Sequence, residues 1–368
     1  MTKLTQYDSY LNHDGPAAIV LKQPLMPVEG EDGVLFPATY ASGDGFAGGY
    51  NIDTDASGKN VALIDSVGSQ ANRIEPIFSE DDYKHLVPQI IVTAGEKQVS
   101  ILEAGHRAGD ALVRCSSLHA DLQAGFKSVL KGDATGLAKL APTSLVFGVW
   151  DSRDTQAKLP RVIASTIRAY NVRKLTRSAQ FNPATEYVND QLLEEPIDKA
   201  TKDAYSERGF IHIPATGSHG GVIADGGILR TATLGLAAIR LLNANNDAEK
   251  TLALRRYILG LSLVAFTHNP SGYLRQGCIL VLNPDKATEF VEVHPTGERK
   301  QCNITHKMAL EYATEAAKAF GVGESKTVPF DKEKAKADVK GEGDTKTKGK
   351  KSKKAPAEKA PTEGGTDA

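Results

Sequence analysis

From Asp331 to the C-terminus the chain reads DKEKAKADVKGEGDTKTKGKKSKKAPAEKAPTEGGTDA, with almost no large apolar side chain. Such a stretch buries too little surface to offset the entropy of ordering it. Residues 331–368 are therefore expected to be a disordered Lys-rich tail, and any core must be built from residues 1–330. The run Lys348 to Lys354 can touch a polyanion, but it reads first as part of a solubilising tail.

The first 330 residues read as mixed α and β. Short apolar or β-branched runs bounded by polar or turn residues mark strands at 17–21, 61–66, 89–93, 144–150, 261–267, 278–282 and 289–293. Helical spacing marks 109–130, 160–171, 229–243, 248–259 and 305–320. In 160–171, Val162, Ile163, Ile167 and Tyr170 fall on one helical face, and Pro160 suits a first helical position. Two long stretches, 29–60 and 178–221, read as excursions from the core. There is no internal repeat.

Composition excludes several classes. Forty per cent of 368 residues are apolar, enough for a sizeable core. No apolar run approaches the roughly 20 residues that span a bilayer. The opening MTKLTQYDSY lacks the basic-then-apolar layout of a signal peptide. Cys115, Cys278 and Cys302 are scattered, with no zinc or disulfide spacing. A cytoplasmic protein without metal or cofactor and with no membrane partner is expected. The net charge of −1 counts mildly against a free nucleic-acid binder, although a groove needs local charge only.

Two motifs are decoys. Gly43, Gly45 and Gly48 match G-x-G-x-x-G, but YNIDTDASGKN follows where a dinucleotide site needs a helix. His106, His119, His212 and His219 match no metal-ligand spacing, and no G-x-S-x-G elbow accompanies them.

Three constellations carry more. Arg153, Lys158, Arg161, Arg168, Arg173, Lys174 and Arg177 lie in a window whose one acid is Asp154. On a helix over 160–171, Arg161, Ser165 and Arg168 share one face. With Trp150 nearby, that face suits an RNA groove: charge for phosphates and a plane for a base. It equally suits a solvated helix, and Trp150 taken alone points to core packing. Next, Ser69, Gln70, Asn72 and Arg73 follow strand 61–66. They form a polar turn able to hold a sugar-phosphate backbone, or a helix cap opened by Ser69. Last, GSHGGVIADGGILRTATLGL has glycines that permit close approach or positive φ. It also places Arg230 in the first turn of a helix, where a cation calls for an anionic partner.

LVFGVWDSRDTQAKLPRVIASTIRAYNVRKLTRSAQFNP and GSHGGVIADGGILRTATLGLAAIRLL closely resemble the backbone subunit of type I-G (formerly I-U) CRISPR systems. That subunit is a member of the RAMP superfamily and of the seventh Cas family, which forms the filament of Cascade-like complexes. The resemblance runs from about Ala17 to Phe320. Ser69, Gln70 and Arg73 resemble the wider family's serine-glutamine turn, and Gly226, Gly227, Ile228 and Arg230 its glycine strand and arginine; Asn72 and Ile74 depart from the more basic pattern of other branches.

The resemblance implies an α+β hand over residues 1–330. Its palm would be RRM-like (ferredoxin-like) βαββαβ, with fingers over about 83–142 and a thumb over about 178–221. It implies copies of the subunit stacked along a guide RNA (crRNA), each thumb interrupting the base pairing at a regular interval. The guide would pair with target DNA beside a large subunit and a guide-end-capping subunit, and a separate helicase-nuclease would cut. The candidate RNA-binding residues are Ser69, Gln70, Asn72, Arg73, Trp150, Arg153, Lys158, Arg161, Arg168, Arg177, His219 and Arg230. No catalytic residue is expected. The competing reading is a target-RNA-cleaving backbone as in type III complexes, for which Asp65, Asp151 and Asp154 are the nearby carboxylates, none with an evident catalytic partner.

Overall fold

The structure, a computed structural model, describes residues 3–269 and 272–340. It divides into residues 1–330 and 331–368. The strands that position the site are β1 (Ala18–Pro27), β2 (Asn60–Asp65), β3 (Ile163–Tyr170), β4 (Val172–Phe181), β5 (Ile213–Ala224), β6 (Ile228–Gly235), β7 (Cys278–Leu282) and β8 (Glu289–Val293). The helices are α1 (Val67–Ile74), α2 (Ala248–Thr267) and α3 (His306–Phe320).

One antiparallel sheet runs β8-β1-β6-β3-β2. Without β2 this is the strand order of a ferredoxin-like βαββαβ unit, with the first crossover spanning 28–162 and α2 in the second. The expected α+β palm is present. β7 takes over from β8 as partner of the far end of β1. Along one sheet face Ile19, Leu21, Ile163, Ala232 and Leu234 join α2 and α3 in the main core. Further along the same face Leu25, Ile167, Ala169 and Ile228 pack with Ala62, Ile64 and Leu280 in a second cluster. Between the two lies a polar row, because Arg230 sits opposite Gln23 on β1 and Ile167 on β3, with Ser165 beside it.

Several elements depart from the sequence reading. Residues 160–171 are not a helix: Ile163–Tyr170 is an inner strand of the sheet. The apolar positions that fit a helical stripe also fit alternation, with Ile163, Ser165, Ile167 and Ala169 all buried. Residues 229–243 begin as strand β6 and turn helical only over Leu236–Arg240. The strand expected at 261–267 is the second half of α2, buried nearly all round, as a helix without a polar face must be. At 144–150 a short helix, Thr143–Phe147, precedes a two-residue strand, Val149–Trp150. The helix expected over 109–130 is interrupted between Arg114 and His119.

β3 runs directly into β4 through Asn171, and β5 returns into β6 through Gly226 and Gly227, so β4–β5 is a hairpin projecting from the sheet. Gly226 has no room for a side chain, since a Cβ would lie 2.7 Å from the Tyr170 carbonyl oxygen, and Gly227 has φ +81°. Between the two hairpin strands, residues 182–212 carry a helix, Lys199–Glu207, capped by Asp198. Residues 83–142 pack Leu86, Ile90, Leu122, Phe126 and Leu137 into the main core.

The disorder expected from Asp331 does not hold for its first residues. Lys332–Lys340 is a helix, with Asp331 Oδ1 accepting from Lys334 N. The remainder of that expectation, including Lys348 to Lys354, lies outside the described residues. Among the described residues no helix is long and apolar enough to cross a membrane.

Candidate nucleic-acid interface

The chain turns sharply from β2 into α1, and Asp65 sits at that junction. Its side chain is fully buried. Ser66 caps the helix, its Oγ accepting from Ser69 N, so Ser69 is a first-turn residue and not the cap the sequence suggested. This frees the Ser69 hydroxyl to donate to Asp65 Oδ1 at 2.7 Å. Gln70 Nε2 donates to Asp65 Oδ2 at 2.7 Å and Arg73 Nε to the same oxygen at 3.2 Å. From the strand before β7, Arg275 Nη2 reaches Asp65 Oδ1 at 3.3 Å. One carboxylate thus accepts from four side chains, and a buried carboxylate demands that degree of pairing.

The network continues across the sheet. Gln70 Oε1 accepts from Ser165 Oγ at 2.9 Å, Ser165 Oγ accepts from Arg230 Nε at 3.1 Å, and Arg230 Nη1 donates to Gln23 Oε1 at 2.8 Å. Arg230 is therefore not at a helix N-terminus. It is a mid-strand residue, 4% exposed, and has no carboxylate partner among the described residues. Burial pushes its guanidinium down to about 10, which leaves it charged at neutral pH.

A second group lies on the other side of α1. Trp150 is 57% exposed, against the core packing it suggested alone. Lys158 pairs with it across the short Val149–Trp150 ladder and places Nζ 5.6 Å from the ring centroid. The loop between them is held by Asp151, which accepts from Thr155 N at 2.8 Å and from Thr155 Oγ1 at 2.6 Å. Burial raises the Asp151 pKa, but the hydrogen bonds from Thr155 and Gln123 outweigh it and leave it below the ordinary carboxylate value. Arg161 folds back past Gly148 towards Gly68 in the first turn of α1. Burial and the nearby Arg107 lower its pKa. Arg107 itself is buried on Glu75, with Nε–Oε2 at 2.6 Å, and donates to Asn72 Oδ1 at 3.3 Å. Arg153, Lys158 and Arg161 have no carboxylate partner among the described residues.

The remaining candidates lie elsewhere. Arg161 and Arg168 do not share a helix face. Arg168 projects from the β3 face opposite Ser165, donating to Thr166 Oγ1 at 2.7 Å, while α1 and Arg161 are on the Ser165 side. Arg177 and His219 stand midway along the hairpin, where the His219 ring packs 4.8 Å from Tyr50 and Arg177 lowers the Tyr50 pKa against the larger effect of burial. Arg173 is neutralised by Asp225, at 2.6 and 3.1 Å. The structure thus brings Ser69, Gln70, Arg73 and Arg230 into one network and Trp150, Lys158 and Arg161 onto one exposed strip with Arg153, with Asn72 between them. Gln23, Arg107 and Arg275 went unnoticed in the sequence, and Ser165 was noticed only as part of a helix face. Ser165 and the buried alternation around it were the available signal; Arg275, 210 positions from Asp65, left none. Among the described residues no group of His, Cys, Asp or Glu is arranged to hold a metal.

Residues 19–174, from β1 to the start of the hairpin, match the family described as CRISPR-associated protein GSU0053. The matched segment is somewhat under half of the chain. It identifies a CRISPR-associated protein family, as the resemblance implied, and supports a role in CRISPR defence. No curated protein matches the chain.

Proposed function

We propose that this chain, with its segment from a CRISPR-associated family, is a non-catalytic guide-RNA-binding subunit that lines up in several copies along the RNA in a DNA-targeting interference complex. One observation carries the reading: an exposed tryptophan stands beside Lys158, and neither that cation nor the exposed Arg153 and Arg161 on the adjoining segments has a carboxylate partner among the described residues. An exposed unpaired cation gains most from a phosphate, and an exposed aromatic plane from a base. The strip adjoins the first turn of α1, whose unsatisfied N–H groups favour anions. The Asp65 network beneath it fixes α1 and keeps Arg73 partly exposed on the same helix.

The nearby carboxylates favour scaffold over nuclease. Asp65 has all its acceptor capacity engaged by four donors, and Asp151 holds its own loop. Neither is placed to activate a nucleophile. Asp154 is exposed, and its Oδ2 accepts from Gln123 Nε2 at 3.0 Å. The reading is tested by mixing the purified full chain with a guide-length RNA at low salt, then adding complementary RNA and magnesium. Retarded multimeric RNA complexes with no cleavage support it. A monomer that leaves the RNA unshifted overturns it, and cleavage lost on Asp154→Ala would replace it with the nuclease reading.

A further inference from the structure

The exposed strip contains a carboxylate of its own. Asp154 lies in the loop between Trp150 and Lys158, next to Arg153 in the chain. A carboxylate so close to two exposed cations is expected to pair with one of them, yet neither Arg153 nor Lys158 has a carboxylate partner among the described residues. Asp154 is engaged elsewhere. Its Oδ2 accepts from Gln123 Nε2 at 3.0 Å, and His119 Nδ1 lies 3.9 Å from the same carboxylate oxygen. Both partners belong to the helix His119–Leu130, one turn apart, while Leu122 and Phe126 anchor that helix in the main core.

The chemistry of Gln123 suits this arrangement. Its amide nitrogen carries two hydrogens and directs them at two carboxylates, Asp154 at 3.0 Å and Asp151 Oδ2 at 3.3 Å. Both acceptors are ionised oxygens, so only the NH2 end of the amide can face the loop. A hydrogen bond from a half-buried amide to a charged acceptor outweighs an exposed ion pair, which loses side-chain entropy and is screened by salt. Asp154 is therefore held towards the helix and away from the cations beside it.

We propose that Gln123 is a positioning residue of the RNA strip, and that by holding Asp154 it keeps the loop's own carboxylate from neutralising Arg153 and Lys158. The inference rests on the RNA-binding reading and adds to it the residue that leaves the strip's charge available. A contact pair with Asp154 would occupy the very N–H groups a phosphate needs. The effect bears on phosphate contacts alone and is the same for every RNA sequence.

The test is binding of a guide-length RNA to the full chain at several salt concentrations. Gln123→Ala releases Asp154. Affinity at about 0.1 M salt should fall roughly fivefold, and the slope of log affinity against log salt should flatten by about 0.7, the value for one lost phosphate contact on a single strand. Gln123→Glu, which sets a second carboxylate against Asp154 and drives it outward, should do at least as much. Adding Asp154→Asn to either variant should restore the parent affinity and slope, because the released side chain then carries no charge. A Gln123 that merely supported the Asp151 loop would give a loss that Asp154→Asn does not rescue. That result, or an unchanged slope in Gln123→Ala, overturns the inference while leaving the RNA-binding reading intact. So does loss of folding in both Gln123 variants, which would make the residue part of the core. A parent chain that binds no RNA overturns both.

Discussion

Two sets of basic residues lie on either side of α1, and their surroundings differ in kind. Arg73, Arg230 and Arg275 point inward and are tied to Asp65, Ser165 and Gln23; Arg153, Lys158 and Arg161 point outward and have no carboxylate to meet. Arg73 and Arg275 spend their charge on Asp65 and so on the fold, while Arg230 is held by the neutral Ser165 and Gln23. Together the three join β1, β3, β6 and the strand before β7 through one carboxylate and one hydroxyl, across sequence separations of up to 210 positions. The second set contributes little to the fold and keeps its charge for a ligand. A basic residue near a family motif is therefore not by itself an RNA contact; what counts is whether its charge is already answered within the subunit.

The sharpest way to break this contrast is at Asp65. Asp65→Ala leaves Arg73 and Arg275 without a counter-charge, and loss of one partner from a buried pair costs about 3–5 kcal/mol. The expected outcome is a large fall in denaturant midpoint, with RNA binding lost in proportion to unfolding. Retained stability with lost binding would move Asp65 from the folding set to the ligand site.

The second test uses the buried Glu75–Arg107 pair. Burial raises the Glu75 carboxyl to about 7 from the ordinary 4.5, against the opposing pull of Arg107 and Thr143. Its folded value lies above its unfolded one, so the stability it contributes is fully present below about 4.5 and is lost as pH rises through about 7. The unfolding free energy obtained from urea titrations should fall over that window by an amount on the order of 1–3 kcal/mol, and the midpoint with it. Glu75→Gln should flatten that part of the profile. A midpoint that rises through the window would contradict the assignment.

A third concerns the outward set alone. Trp150→Ala should reduce RNA affinity by about 1–3 kcal/mol, the worth of one base stacked on an aromatic ring. Trp150→Phe should recover much of it, and the melting temperature should not move in either variant. A large drop in melting temperature would return Trp150 to a packing role.

This contrast was only half legible in the sequence. The strands at 278–282 and 289–293 and the helix at 305–320 stand close to where their residue patterns put them, because each pattern has one fitting period. The stretch 160–171 has two: Val162, Ile163, Ile167 and Tyr170 satisfy a helical stripe, while Ile163, Ser165, Ile167 and Ala169 alternate as a buried strand. The second prevails because β6 and β2 flank β3 on both edges, which is a long-range fact. A serine among the buried positions hid the alternation, and Arg230 hid it in β6. Ser69, Gln70, Arg73 and Arg230 were singled out as separate motifs, yet their convergence on Asp65 and Ser165 depends on the register of β1, β6 and β3. Trp150 was misjudged alone because exposure follows from the Asp151 loop, a local turn with no apolar signature.

The measurement that bears most directly on the distinction between answered and unanswered charge is the salt dependence of RNA binding in two variants. Lys158→Ala/Arg161→Ala removes two unpaired cations. Arg173→Ala removes an exposed arginine that is already neutralised by Asp225. The slope of log affinity against log salt should flatten by about 0.7 per lost phosphate contact in the first variant, with an unchanged melting curve. In the second it should stay as in the parent chain. An unchanged slope in the double variant, or an equal flattening in Arg173→Ala, would contradict the account.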